Sequence, residues 1–390
     1  MARKQYAPQT FLRVVPKPLL KQFFEQRGTK LAVEWDKLTE QDVAPIWEAL
    51  QTLQGPERDK IEGVFRDVYD LACEDGVKAI IEGGRLGGKE LAAAMADKDG
   101  PYHQAMWAFI SEFDSFRTAM LLFQFDNLKY WCKRSGMPDE DPNLSQQALE
   151  ALAAELKTYY MLTQGRGQRC TVDSLLRNGQ DHYFFAYLDD WVDTEIRHND
   201  QGKLIPQSVR RTFENVFVFN RKEGSLELSA KGDKKVKAAL QGIFGRTILG
   251  VELGEEDKKK QPYNLDLLKN RNFSLVTDPE DHVEARVRAI RLTAGGRGSR
   301  RVTLEANIDA GPKDIYDMMD KWLNYNNISL DQLKVSQVTF NFRFAAVNGR
   351  RASSLTFNVT WPNSSNLKSQ REEHKLIGGK YLKRWKIDSV

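Results

Sequence analysis

The spacing of apolar residues changes about 160 residues into the chain. Before that point they recur every three or four positions. Leu19, Leu20, Phe23 and Phe24 share one helical face, and Val43, Ile46, Trp47, Leu50 and Leu53 share another. Ile61, Val64, Phe65, Val68, Leu71 and Ala72 repeat the stripe, as does the run from Met106 to Phe123. Thr39, with Asp42 three residues on, predicts a capped helix start, and Gly55-Pro56 separates that helix from the next. Leu149, Leu152, Leu156 and Tyr159 mark one more helix, opened by Ser145. Residues 1–17 show little periodicity and contain Pro8 and Pro16, so an extended run is expected there. Residues 1–161 are therefore predicted to form an all-α domain of five to seven helices.

Alternation then replaces the helical stripe. Val216 to Phe219 and Leu226 to Leu228 flank a turn that ends in Gly224, and a helix is predicted over 234–244. Ala285 to Leu292 and Val302 to Ala306 flank a glycine- and arginine-rich turn, followed by a helix near 312–323. Val338, Phe340, Phe342 and Phe344 alternate with Thr339, Asn341 and Arg343. Leu355, Phe357, Val359 and Trp361 alternate with Thr356, Asn358 and Thr360. Period-2 patterning of this kind predicts an antiparallel sheet with one buried face. A last segment, 371–384, has helical character, but Gly378-Gly379 is expected to break it.

The expected fold class is α+β and multi-domain: an all-α N-terminal domain followed by antiparallel β-hairpins with packed helices. The expected domains are 1–161, helical; 166–278, a hairpin plus a helix; and 279–390, a basic antiparallel sheet with helices. A length of 390 residues agrees with more than one core.

Charge adds an asymmetry. The net charge of +4 combines −5 over residues 1–160, +1 over 161–280 and +8 over 281–390. An anionic partner is expected at the back third of the chain. Three scattered cysteines, Cys73, Cys132 and Cys170, fit neither a disulfide framework nor a cysteine zinc site. Together with the lack of a signal-peptide pattern or a long apolar run, they predict a cytoplasmic protein without a membrane span.

Candidate chemistry is sparse. Gly83 to Lys89 matches the G-x-x-x-x-G-K spacing of a phosphate-binding loop, but Glu90 stands where a magnesium-holding hydroxyl belongs. A glycine-rich break between helices is the better reading. Cys132 beside Lys133 and Arg134 reads as a buried structural thiol. Asp189, Asp190, Asp193 and Glu195 form the densest acidic cluster, and carboxylates so grouped can hold magnesium.

The most coherent signal is basic. Arg286, Arg288 and Arg291 lie on one predicted strand, and Arg297, Arg300 and Arg301 lie at its turn and on its partner. No acidic residue occurs from 285 to 304. Arg350 and Arg351, and Lys383 and Arg384, add two further clusters. Arginine forks match phosphate geometry, and neighbouring glycines let a backbone approach it. The leading expectation is an accessory nucleic-acid-binding protein, DNA or RNA, with no cofactor. It would grip phosphates through Arg286, Arg288, Arg297, Arg300, Arg301, Arg350, Arg351, Lys383 and Arg384, and contact protein partners through its helical domain. The alternatives are a magnesium-dependent enzyme on nucleic acid or nucleotide, centred on the acidic cluster, and a structural subunit of a protein assembly without its own ligand.

Overall fold

The computed structural model of the chain describes residues 6–126, 128–129, 131–199, 201–256, 262–294, 300–307, 311, 313–323, 329–346 and 352–389. They form an α+β fold that divides into two compact units, Met1–Asn127 and Leu128–Val390.

Helices and their connections make up the described residues of the first unit. Its elements are α1 (Pro8–Val14), α2 (Lys17–Gln26), α3 (Ala44–Gln51), α4 (Gly55–Leu71), α5 (Glu74–Leu86), α6 (Ala92–Ala96), α7 (Gly100–Ser111) and α8 (Phe113–Asp126). The segment expected to be extended contains α1. Seven residues are too few to display a period, yet Pro8 sits in the first turn and Phe11 and Leu12 are buried. Thr39 and Asp42 do bond each other, Thr39 N and Oγ1 donating to Asp42 Oδ2 at 2.7 and 2.8 Å. They make a turn, however, and the helix starts only at Ala44. The stripe from Met106 to Phe123 is two helices, parted at Glu112. One core unites Phe11, Phe23, Phe24, Phe65, Ile80, Met106 and Phe116.

The glycines that resemble a phosphate loop are packing residues. Gly83 lies inside α5, where a Cβ would stand 2.5 Å from the Ser115 carbonyl oxygen of α8; on Gly84 it would meet Leu91 at 2.7 Å. The missing side chains let α5 and α8 approach. Gly83→Ala is expected to lower stability by about 1–3 kcal/mol, read from the shift in urea midpoint at constant slope.

The second unit contains two five-stranded antiparallel sheets. The first is built from β1 (Trp131–Ser135), β2 (Cys170–Arg177), β3 (Asp181–His198), β4 (Leu204–Asn220) and β5 (Ser225–Ser229), in the order β1-β5-β4-β3-β2. Helices α9 (Gln146–Gln164) and α10 (Lys234–Phe244) cover one face. Leu152, Leu156 and Tyr160 of α9 and Phe244 of α10 share a core with Phe184, Phe217, Phe219 and Leu228. A helical stripe announces that a helix buries one side, not what it buries it against, so the sequence grouped α9 with the helices before it. Cys132 lies in this core, where burial pushes its thiol up to about 11, the inert structural cysteine expected.

The second sheet is built from β6 (Val283–Ala294), β7 (Arg301–Glu305), β8 (Leu333–Phe344), β9 (Ser353–Thr360) and β10 (Ser364–Ser365), in the order β10-β9-β8-β6-β7. Helices α11 (Asp314–Trp322) and α12 (Glu372–Arg384) share the core of its apolar face: Ile315, Met319, Tyr381 and Trp385 cluster with Phe340, Phe342, Phe357 and Val359. Gly378-Gly379 does not break α12. Gly378 lets the helix close on Leu367, whose Cδ1 a Cβ would meet at 2.6 Å.

Charge joins the two sheets. Lys133 of β1, 5% exposed at its side chain, places Nζ 2.9 Å from Asp388 Oδ2, beyond α12. Lys368 pairs with Glu227 of β5 at 3.3 Å, and Lys383 of α12 pairs with Glu223. Burial works against the Lys368 ammonium, but Glu227, Tyr183 and Asp181 outweigh it and hold its pKa above the ordinary lysine value. These pairs line a pocket of about 250 Å³. Removing one partner of a buried pair strands the other. Lys133→Met is therefore expected to cost about 3–5 kcal/mol, while the double variant with Asp388→Leu recovers much of it; a double-mutant cycle in denaturant measures the coupling.

Candidate nucleic-acid interface

The register of the second sheet determines which side chains face outward. In a regular strand Arg286 and Arg291, an odd number of positions apart, would face opposite ways. The β6–β8 ladder shifts register between Val287 and Ala289 and again between Arg291 and Leu292, so Arg288 and Ser336 have no paired partner. With Arg288 skipped, Arg286 faces Asn341, Ala289 faces Thr339 and Arg291 faces Gln337, all on the side opposite the core. Cross-strand partners share a face. One row across the sheet thus holds Arg301, Thr293 and Lys334, and the next holds Thr303, Arg291, Gln337 and Thr360.

Most uncharged groups on this face bond one another. Thr293 Oγ1 donates to Ser336 Oγ at 2.9 Å, Gln337 Nε2 to Thr360 Oγ1 at 2.9 Å, and Thr339 Oγ1 to Asn358 Oδ1 at 2.7 Å. The cations divide into spent and available. Arg286 is buried at 4% exposure, and its Nε donates to Asn341 Oδ1 at 3.2 Å. Arg288 pairs with Glu305 at 2.9 Å. By contrast, Arg300 and Arg301 are exposed and have no ion pair among the described residues. Among the described residues Arg291 makes only a long bond, 3.4 Å, to Thr303. Lys334, also exposed, sets its Nζ 3.2 Å from the centroid of the Trp361 ring, which is 36% exposed just past β9. Arg291, Arg300, Arg301, Lys334 and Trp361 therefore gather at one end of the sheet.

Arg297, Arg350 and Arg351 fall outside the described residues. The chain leaves β6 after Ala294, paired with Leu333, and leaves β8 after Phe344, paired with Val283. These two strand ends lie at opposite ends of the sheet, about 36 Å apart at strand rise. Lys383 is held by Glu223, and Arg384 by Asp278.

Lys334 and Trp361 escaped the sequence reading. Unbroken alternation from Val338 and Phe340 would place Lys334 on the core face; the bulge at Ser336 turns it outward. Trp361 continues an apolar alternation whose strand stops one residue earlier, at Thr360.

The acidic cluster sits where β3 and β4 leave their sheet. Beyond a bulge between Asp189 and Val192 the two strands continue alone, pairing Val192 with Arg210 and His198 with Leu204. Arg166 clamps the base of this arm. Its guanidinium pairs with Asp190 at 2.9 Å and lies 4.3 Å from the Trp191 centroid and 3.8 Å from that of Phe213. Farther out, Asp193 and Glu195 do share a face, but Arg197 and Arg211 hold Glu195 and keep its pKa below the ordinary range. Among the described residues no group of three or more His, Cys, Asp or Glu could hold a metal ion. The outer arm also exposes Val192 (53%), Ile196 (74%) and Leu204 (58%).

No protein-family model matches the chain, and no curated protein matches it in sequence. Among the described residues no helix is long and apolar enough to cross a membrane.

The pairs that occupy the C-terminal cations carry a pH signature. Arg384 first, then Lys380, bonds Asp278 and lowers its pKa; Lys380 and Tyr381 do the same for Asp281. A lowered carboxylate stabilises the fold above its unfolded pKa, about 3.9, and that stabilisation fades as pH falls through the lower folded value. Replacing both Lys380 and Arg384 by Gln is expected to reduce the drop in Tm between pH 5 and pH 2, measured by circular dichroism.

Proposed function

We propose that this chain is a non-enzymatic, cytoplasmic nucleic-acid-binding protein, and that its phosphate contacts are made by Arg291, Arg300, Arg301 and Lys334 at the β6–β7 end of the second sheet. The observation that carries the reading is the presence of these unpaired or loosely held cations on one exposed end of a face, while so many other basic side chains are held by carboxylates. Glu284 and Glu305 are the carboxylates facing out from β6 and β7, and Glu305 is engaged by Arg288. Guanidinium and ammonium groups without internal partners release counterions when they meet phosphates, and that release drives binding.

The apolar side chains exposed on the β3–β4 arm support a second contact, to protein. A two-stranded ribbon with an uncovered apolar face gains from being covered. In this chain the arm, rather than the helical unit, offers the clearest such surface.

Fluorescence anisotropy with labelled 20-mers, single- and double-stranded DNA and RNA, across a salt series tests the nucleic-acid reading. Expected is affinity that falls steeply with salt, and a triple Arg300→Glu, Arg301→Glu, Lys334→Glu variant that stays folded but binds at least 100-fold more weakly with a flatter salt slope. Absence of binding to all four at low salt overturns the proposal and leaves the assembly-subunit reading.

A further inference from the structure

We infer that this site, if the nucleic-acid reading above holds, takes single strands rather than duplex, with one base stacked on Trp361 and little preference for which base. Three features of the face lead there.

The first is the aromatic ring. The large aromatics of the neighbouring core, Phe340, Phe342, Phe357, Tyr381 and Trp385, are all buried, whereas Trp361 stands 36% exposed beside the free cations. The Lys334 ammonium lies over its ring at 3.2 Å from the centroid. That contact restricts the indole's orientation and puts a positive charge within reach of the phosphate of any base stacked on the ring. Bases in a duplex are stacked on one another and offer their faces only at its ends. A stacking ring next to phosphate-binding cations is thus usable along a single strand and idle against a duplex.

The second feature is shape. Trp361 N donates to the Ser336 carbonyl at 3.0 Å, which places the tryptophan at the β9 side of the row holding Lys334, Thr293 and Arg301. Ring and outermost arginine are three strand spacings apart, about 14 Å. A flexible strand can lie across such a row and touch ring, ammonium and guanidinium together, whereas a duplex is a convex rod that meets a sheet along a narrow line.

The third is the state of the polar groups between them. Thr293 is bonded to Ser336 and Gln337 to Thr360. Reading a base edge needs donors and acceptors free to pair with it. Here those groups are engaged with each other, so stacking and phosphate contact supply the affinity, and both are tolerant of sequence.

The test measures Kd at one fixed salt concentration for single-stranded and duplex 20-mers of the same sequence, and for single-stranded poly-dT and poly-dA, with the wild type, Trp361→Ala and Trp361→Phe. Expected is wild-type preference for single strands, a loss of about 10-fold or more in single-strand affinity for Trp361→Ala, near-complete retention in Trp361→Phe, and similar Kd for dT and dA. Wild-type duplex binding as tight as single-strand binding overturns the inference and needs no variant that must fold. Unchanged single-strand affinity in folded Trp361→Ala also overturns it. Either result leaves phosphate binding by Arg300, Arg301 and Lys334 standing. Failure of the wild type to bind any nucleic acid at low salt removes both.

Discussion

The pairing of β6 with β8 is the constraint on which the second sheet depends. Side chains alternate along a strand, so a slip of one residue would move the core set, Val287, Ile290, Val338, Phe340 and Phe342, into water. That cost sets the register firmly, and two bulges are accommodated within it. Arg288 and Ser336 are the unpaired residues, and skipping them brings Arg291 to the same side as Arg286 and Lys334 to the same row as Arg301. The polar face follows from how the apolar face must pack.

A second theme is how positive charge is consumed. The last 110 residues look strongly basic, yet Arg288, Lys368, Lys380, Lys383 and Arg384 all end at carboxylates. Part of this charge attaches α12 to both sheets: its apolar side packs on the second, while Lys383 reaches Glu223 of the first. Buried pairs such as Lys133–Asp388 contribute geometry more surely than stability, since the cost of desolvation offsets much of the attraction. They fix how the two sheets meet, where apolar contact alone would tolerate sliding.

The β3–β4 arm shows the same economy. Its acidic residues suggested a metal site because they are close in sequence. In three dimensions Asp190 faces Arg166, and Glu195 lies between Arg197 and Arg211. Two of the four carboxylates in the cluster, Asp190 and Glu195, are thus already held by guanidinium groups. What the ion pairs do is hold a two-stranded ribbon at its base and along one face, leaving Val192, Ile196 and Leu204 on display.

Local structure was legible along the chain: the helices from α2 to α4, whose stripes are long enough to show a 3.6 period, and the hairpins 216–228, 285–306 and 338–361, whose alternation and turn residues agree. The sequence could also show that Gly83 to Lys89 lacks the hydroxyl of a phosphate loop. What those elements pack against came from the three-dimensional arrangement. It assigned α9 to the first sheet, made α12 continuous because Gly378 meets Leu367, and revealed α1, too short to show a period. It also sorted the basic residues into those that are paired, buried or exposed. The reason is physical: periodicity is a property of neighbours along the chain, whereas the partner of a charge, and the face a bulge turns it to, are set by residues tens to hundreds of positions away.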